Sequence, residues 1–256
     1  MRGYSMSRCK LCNLEKPLIK TSHIIPDWMY EHLYTQKHKL YKFAPADYVA
    51  GNRRIQMPSS GEYEGDLLCK RCDNVVIGPY EDYARKAFKG GTLPVEESPT
   101  SNSFVSPGGM EYTEIRNINY AKFKLFLLSI LWRASVSSRD FFKSISLGPH
   151  GERIRQMILN GDPGSIDDYP IVVLTYLTDP SSHKDMVAEP GRLEDNQGTR
   201  YIFIIAGFAY IFHVSKHDIP SFVLKHTIKP SNEMTVLHIP KGKGEGLLMN
   251  YFGVSV

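Results

Sequence analysis

The chain has 256 residues, of which 42% are hydrophobic and 23% charged, with a formal net charge of +4 at neutral pH. This is the composition of a soluble globular protein with room for one large domain or two modest ones. Its longest apolar runs, Leu125 to Trp132 and Tyr201 to Phe212, fall well short of the roughly 20 residues a membrane span needs, so a membrane partner is not expected.

Met1-Arg2-Gly3-Tyr4-Ser5 opens the chain without an apolar h-region, so no secretory signal is expected there. Cys9-Lys10-Leu11-Cys12 follows. After a mixed-polarity stretch with Pro17, Thr21-Ser22-His23-Ile24-Ile25-Pro26 reads as a short strand ending at a proline, and Asp27 to Tyr34 as a helix capped by Asp27. Residues 35–66 are polar and basic, a loop with at most one hairpin. Leu67-Leu68 leads into Cys69-Lys70-Arg71-Cys72, and Asp73 to Phe88 has helical spacing that Gly78-Pro79 must kink or interrupt.

Gly, Pro, Ser, Thr and Asn dominate residues 90–109, marking residues 91–110 as a linker or long loop between a module at 1–90 and a domain at 111–256. Asn119 to Val136 is a helix with Phe123, Phe126, Leu127, Ile130, Leu131 and Ala134 on one face and Lys122, Lys124 and Arg133 beside it. Shorter helices are expected at Arg139 to Phe142 and Gly151 to Leu159. Strands follow at Ile171 to Leu177, Arg200 to Ala206, Phe208 to His213, Met234 to Ile239 and Leu247 to Val254, with Gly207 at a bulge or tight turn. The fold class is α+β, with a mostly antiparallel sheet in the second half and no internal repeat.

The four cysteines are the only ones in the chain and form two Cys-x-x-Cys pairs. Four soft thiolates suit a closed tetrahedral Zn²⁺ site, which holds structure and leaves no position for substrate. The competing readings are four unrelated buried thiols or two disulfides. Paired cysteines without a secretory signal favour metal and a reducing, cytoplasmic setting. The surplus positive charge lies wholly in the first 92 residues, which permits a polyanionic partner without demanding one.

Cys9-x-x-Cys12, Ser22-His23-Ile24-Ile25-Pro26 and Leu67-Leu68-Cys69-x-x-Cys72-Asp73-Asn74 together resemble the cysteine-bearing HNH, or His-Me finger, endonucleases over about the first 90 residues. In that family zinc knuckles of a treble clef brace a ββα unit whose strand carries a His before an Ile-Pro turn. The resemblance implies metal-dependent cleavage of DNA or RNA, with His23 as general base and a Mg²⁺ or Mn²⁺ ion beside it. It places Asp73 where the family has a metal-binding His or Asn, gives Asn74 either an orienting role toward His23 or a plain place at a helix start, and makes Glu81 a second ligand. It also implies a setting in microbial defence or mobile-element systems, with 111–256 choosing substrate or mediating a protein partnership or homodimer.

Three departures from the pattern stand out. Ser22 occupies a position where the family has a ligand, Glu64 or Asp66 stands where it has a middle Asn, and Ile77 follows Asp73 where it has a final His. They support the competing expectation of a non-catalytic, zinc-stabilised module that binds nucleic acid or protein. His23 then becomes a capping or core imidazole, and Asp73 and Asn74 stabilise a helix N-terminus. Trp28, Tyr30 and Tyr34 have the spacing of core residues or of a base-stacking face. Lys37-His38-Lys39, Arg53-Arg54, Lys70-Arg71 and Arg85-Lys86 are solvated charge or a phosphate track. The remaining histidines show no metal-ligand spacing, and Lys241-Gly242-Lys243-Gly244 lacks the strand-to-helix context of a phosphate loop.

Overall fold

The computed structural model describes residues 6–33, 42–43, 61–178, 186–196, 198–215 and 218–244. Tyr34, the 37–39 and 53–54 basic clusters, His183, His217 and the strand expected at Leu247 to Val254 lie outside the described residues. Strands β1 (Met6–Arg8) and β2 (Glu15–Pro17) form an antiparallel hairpin whose turn carries the first cysteine pair. The turn closes because Asn13 adopts a left-handed φ of 59° and donates its N–H to the Cys9 carbonyl at 2.9 Å.

Strand β3 (Ser22–His23) pairs antiparallel with β5 (Tyr63–Glu64), Ser22 opposite Glu64 and His23 opposite Tyr63. Between them, β4 (Lys42–Phe43) runs parallel to a strand of the large sheet. The helix expected from Asp27 is instead two 3-10 turns, Asp27–Met29 and Glu31–Leu33. Pro26 takes the cap position, and successive i to i+3 bonds bury Met29, Tyr30 and Leu33 without a full α-turn.

After the second cysteine pair the chain makes a π-helical turn, Cys72–Ile77, that runs into α1 (Gly78–Lys89). The interruption expected at Gly78-Pro79 is this widening. A proline ring collides with the carbonyl four residues back, and the Gly78 N–H reaching the Asp73 carbonyl opens the turn by one residue.

Strands β6 (Thr100–Val105) and β7 (Glu111–Arg116) form a hairpin at one edge of a nine-stranded sheet. An edge strand of the sheet therefore lies inside the stretch expected to be a linker. Helix α2 (Tyr120–Val136) is capped by Asn119, whose side chain accepts the Lys122 N–H at 2.9 Å. It is buried almost all round, Lys124 and Arg133 included, as befits a central helix rather than a one-faced one. Helix α3 (Pro149–Asn160) stops at Gly161 with a φ of 71°.

The other strands are β8 (Ile171–Thr175), β9 (Val187–Ala188), β10 (Gly191–Asp195), β11 (Gly198–Ile205), β12 (Phe208–Val214) and, after the short α4 (Ser221–His226), β13 (Glu233–His238). Their order is β4-β9-β11-β12-β8-β13-β7-β6, with β10 also on β11. All pairs are antiparallel except β13 with β8 and β4 with β9. The expected mixed α+β class with a mostly antiparallel sheet is what is found. Ala206 and Gly207, both at positive φ, make a two-residue hairpin turn between β11 and β12.

One continuous core joins the cysteine-bearing part to the helices and one face of the sheet. Trp28 stacks on Phe126 at 5.6 Å between ring centroids, and Phe88 on Phe123 at the same distance. The boundary expected at 91–110 does not separate two cores. Among the described residues no helix is long and apolar enough to cross a membrane.

Candidate metal centre and the histidine strand beside it

The β1–β2 turn and the start of the helix after β5 bring Cys9, Cys12, Cys69 and Cys72 together, their sulfurs all within 4.8 Å of one another. A tetrahedral ion with metal–sulfur bonds of about 2.3 Å holds its sulfurs about 3.8 Å apart, so the four need only a small contraction to close on one. No disulfide links them. Backbone bonds fix the approach: Lys10 N–H donates to the Leu67 carbonyl at 2.9 Å, Ile19 N–H to that of Leu68 at 2.9 Å, and Cys69 N–H to the Cys9 sulfur at 3.3 Å. Arg155 of α3, ion-paired with Glu152, donates to the Leu11 carbonyl inside the turn.

Burial, together with the negative charge of Cys9 and hydrogen bonding among the four, pushes the Cys72 thiol well above the ordinary cysteine range. A divalent cation reverses that preference by binding the thiolates directly. The cluster could thus hold a metal ion such as zinc. Among the described residues it is the one such group of three or more His, Cys, Asp or Glu side chains.

Beside the cluster, β3 is seated by its antiparallel pairing with β5. Ser22 is buried, and its hydroxyl donates to Asp73 Oδ1 at 2.7 Å. Side chains alternate across a strand, so Ser22, and not the imidazole, is the β3 residue that meets Asp73. His23 lies on the other face, half-buried, edge-on to Tyr63 at 6.2 Å between ring centroids. Asn74 is exposed on the π-turn, and Ile77 is fully buried. Glu81 is taken up by Arg133, whose Nη2 reaches its Oε1 at 2.6 Å. Compared with protein-family models, curated proteins and solved structures, the chain matches none.

The residues that surround His23 from the far side come from the end of α2, which the spacing of motifs in the first 90 residues could not indicate. Arg133 is 2% exposed in its side chain and donates through Nη1 to the His23 carbonyl at 2.6 Å. Ser137 and Ser138 hydroxyls and the Ser138 N–H all bond the Glu64 carboxylate. Burial opposes charge on Glu64, yet these bonds and Arg139 outweigh it and hold the carboxyl below its ordinary range. Arg139 donates Nε to Glu62 at 2.9 Å and lays its guanidinium over the Tyr63 ring at 5.6 Å. Asp66, the other middle-position candidate, pairs with Lys20 at 3.0 Å on the surface.

Of the basic pairs, Lys70 and Arg71 are exposed beside the second cysteine knuckle, while Arg85 and Lys86 are both engaged by Asp82. Trp28 and Tyr30 are core residues, Tyr30 fully buried and Trp28 stacked on Phe126. Neither offers a free face for a base.

Proposed function

We propose that this protein acts on nucleic acid through a His-Me finger unit of the HNH type, braced by a zinc-bound treble clef, with His23 as general base in phosphodiester hydrolysis. The observation that carries the reading is the order of elements. A strand bearing His23 pairs antiparallel with β5, and the helix begins at once from the second cysteine pair. The imidazole is half-buried edge-on to the exposed Tyr63 ring, where it would take a proton from an attacking water. Four thiolates gathered on a metal ion would also suit a reducing, cytoplasmic setting.

Mg²⁺ or Mn²⁺ chemistry would supply charge stabilisation at the phosphate, but the described side chains do not fit a complete site for such an ion. Asp73 brings one carboxylate and Ser22 a hydroxyl, Glu81 is engaged by Arg133, and Ile77 brings nothing. The same observation favours a second reading, a zinc-stabilised module that binds nucleic acid or a protein partner without cutting. Incubating the purified protein with plasmid and with RNA, with Mg²⁺ or Mn²⁺ and then with EDTA, separates the two when run beside His23→Ala. Nicking by the wild type that is lost in the variant is the expected result. Binding without nicking by the wild type replaces the enzyme with the module, and equal nicking by both proteins removes His23 from the chemistry.

A further inference from the structure

Arg133 sits one turn from the end of α2, is 2% exposed in its side chain, and spends its guanidinium on three separate elements. Nη1 donates to the backbone carbonyl of His23 at 2.6 Å, Nη2 to Glu81 Oε1 at 2.6 Å, and Nε to the Ser129 carbonyl at 3.2 Å, with Ser129 Oγ a further acceptor at 3.3 Å. Packing alone does not call for a buried cation there: its α2 neighbours Ile130, Leu131, Trp132 and Ala134 are buried and apolar, and a leucine or methionine would fill the space at less cost in desolvation. The guanidinium does what those residues cannot. It crosses from a rigid central helix to a strand only two residues long and fixes it from the carbonyl side, while Glu81 holds the fork in plane from α1.

Resting on the nuclease reading, we infer that Arg133 and Glu81 together are positioning residues for His23, setting the height and tilt of the imidazole against Tyr63, and that Glu81 is not a metal ligand. A catalytic group displaced by about 1 Å can lose on the order of 10²-fold in rate. Strand β3 is held at Ser22 by Asp73 and along its edge by β5, and the Arg133 bond adds an anchor at the carbonyl of His23 itself.

The test uses the full chain with its metal and three variants: Arg133→Lys, Glu81→Gln, and the double change Arg133→Met with Glu81→Leu. The double variant replaces both charges with apolar volume and so avoids a stranded buried ion. Circular dichroism and metal content verify that each is folded. The first readout is the nuclear Overhauser contact between the His23 and Tyr63 rings, which does not depend on activity. It is expected in the wild type, lost or redistributed in the double variant, and partly restored in Arg133→Lys. The second is the split of kcat from KM on supercoiled plasmid, with kcat expected to fall about 10²-fold in the double variant and KM to stay.

A folded double variant that keeps the ring contact unchanged overturns the inference whether or not the protein cleaves. A wild type that never cleaves, yet whose ring contact is lost in the double variant, removes the nuclease reading and leaves the positioning role of Arg133 standing. Loss of divalent-ion response in Glu81→Gln with the ring contact intact would return Glu81 to the metal and refute its assignment here.

Discussion

Lys124 is a charged side chain 2% exposed in the middle of α2, and its removal is expected to make the protein more stable near neutral pH. Its ammonium donates to the Tyr120 hydroxyl at 2.9 Å and to the Ser165 carbonyl at 2.7 Å. Burial drives its pKa from 10.5 down to about 8, against the pull of Asp168, Asp167 and Asp162. The folded value is the lower one, so between about 8 and 10.5 the unfolded chain holds the proton more tightly and stability rises with pH. Below about 8 the whole penalty is present, on the order of 3 kcal/mol.

Lys124→Met keeps most of the volume and strands little, because the Tyr120 hydroxyl already donates to the Ser165 carbonyl at 2.8 Å. The lost hydrogen bonds offset part of the gain, leaving about 1–2 kcal/mol in favour of the variant at neutral pH. Urea unfolding of both proteins across this range measures it: the gap is expected to narrow steadily above pH 8 and to close or reverse by about 10.5. Unfolding free energies that run parallel for the two proteins throughout would show that the ammonium titrates as in water, and the burial argument would be wrong.

Three further outcomes follow from the metal centre, the helix cap and the glycine before β5. Treating the protein with a chelator under reducing conditions, or Cys72→Ser, is expected to lower the melting temperature and loosen both parts of the chain together, because the four cysteines that could hold a metal belong to the common core; a chelator-treated protein that melts with the untreated one would rule out a structural ion. Asn119→Ala removes the cap of α2 and a bond from Nδ2 to Glu97 at 2.9 Å. It should cost about 1–2 kcal/mol and roughly 2–6 °C in melting temperature, read by calorimetry. Gly61→Ala puts a Cβ 2.2 Å from Tyr30 Cε2. With Tyr30 fully buried, the clash should cost about 1–3 kcal/mol in urea unfolding, while Gly108→Ala, with open space around it, should be neutral or stabilise by up to about 1 kcal/mol.

What the amino-acid order reveals here is what short-range physics decides. Metal-ligand spacing is local, so the two cysteine pairs pointed to one cluster. Asn119 capping, the apolar spacing of α2 and the stop at Gly161 are settled within a turn or two and were legible. Periodicity failed to show that α2 is covered on all sides. Lys124 and Arg133 read as the edge of a polar face, and only the elements packed around the helix make them interior. Strand β6 was hidden because Thr100 to Val105 is exposed along its whole length, which removes the alternation that marks a half-buried strand.

The candidate site divides along the same line. His23 was singled out by its neighbours in sequence, but Tyr63 comes to it by strand register and Arg133 from 110 residues away. Glu81 was expected at an ion because its helix position suits one. The buried guanidinium that claims it lies on a helix whose packing no local pattern encodes.

The shared interior of the cysteine-bearing part and α2 limits how this protein can be taken apart. Cutting the chain near residue 90 would leave Trp28 and Phe88 without the rings they stack on and leave the His23 carbonyl without its guanidinium. Such a fragment would be sticky and misaligned at once. The cysteine-bearing part is therefore no portable cassette: in shuffling between genes, or in laboratory fusions, it has to be inherited together with the helix that backs it.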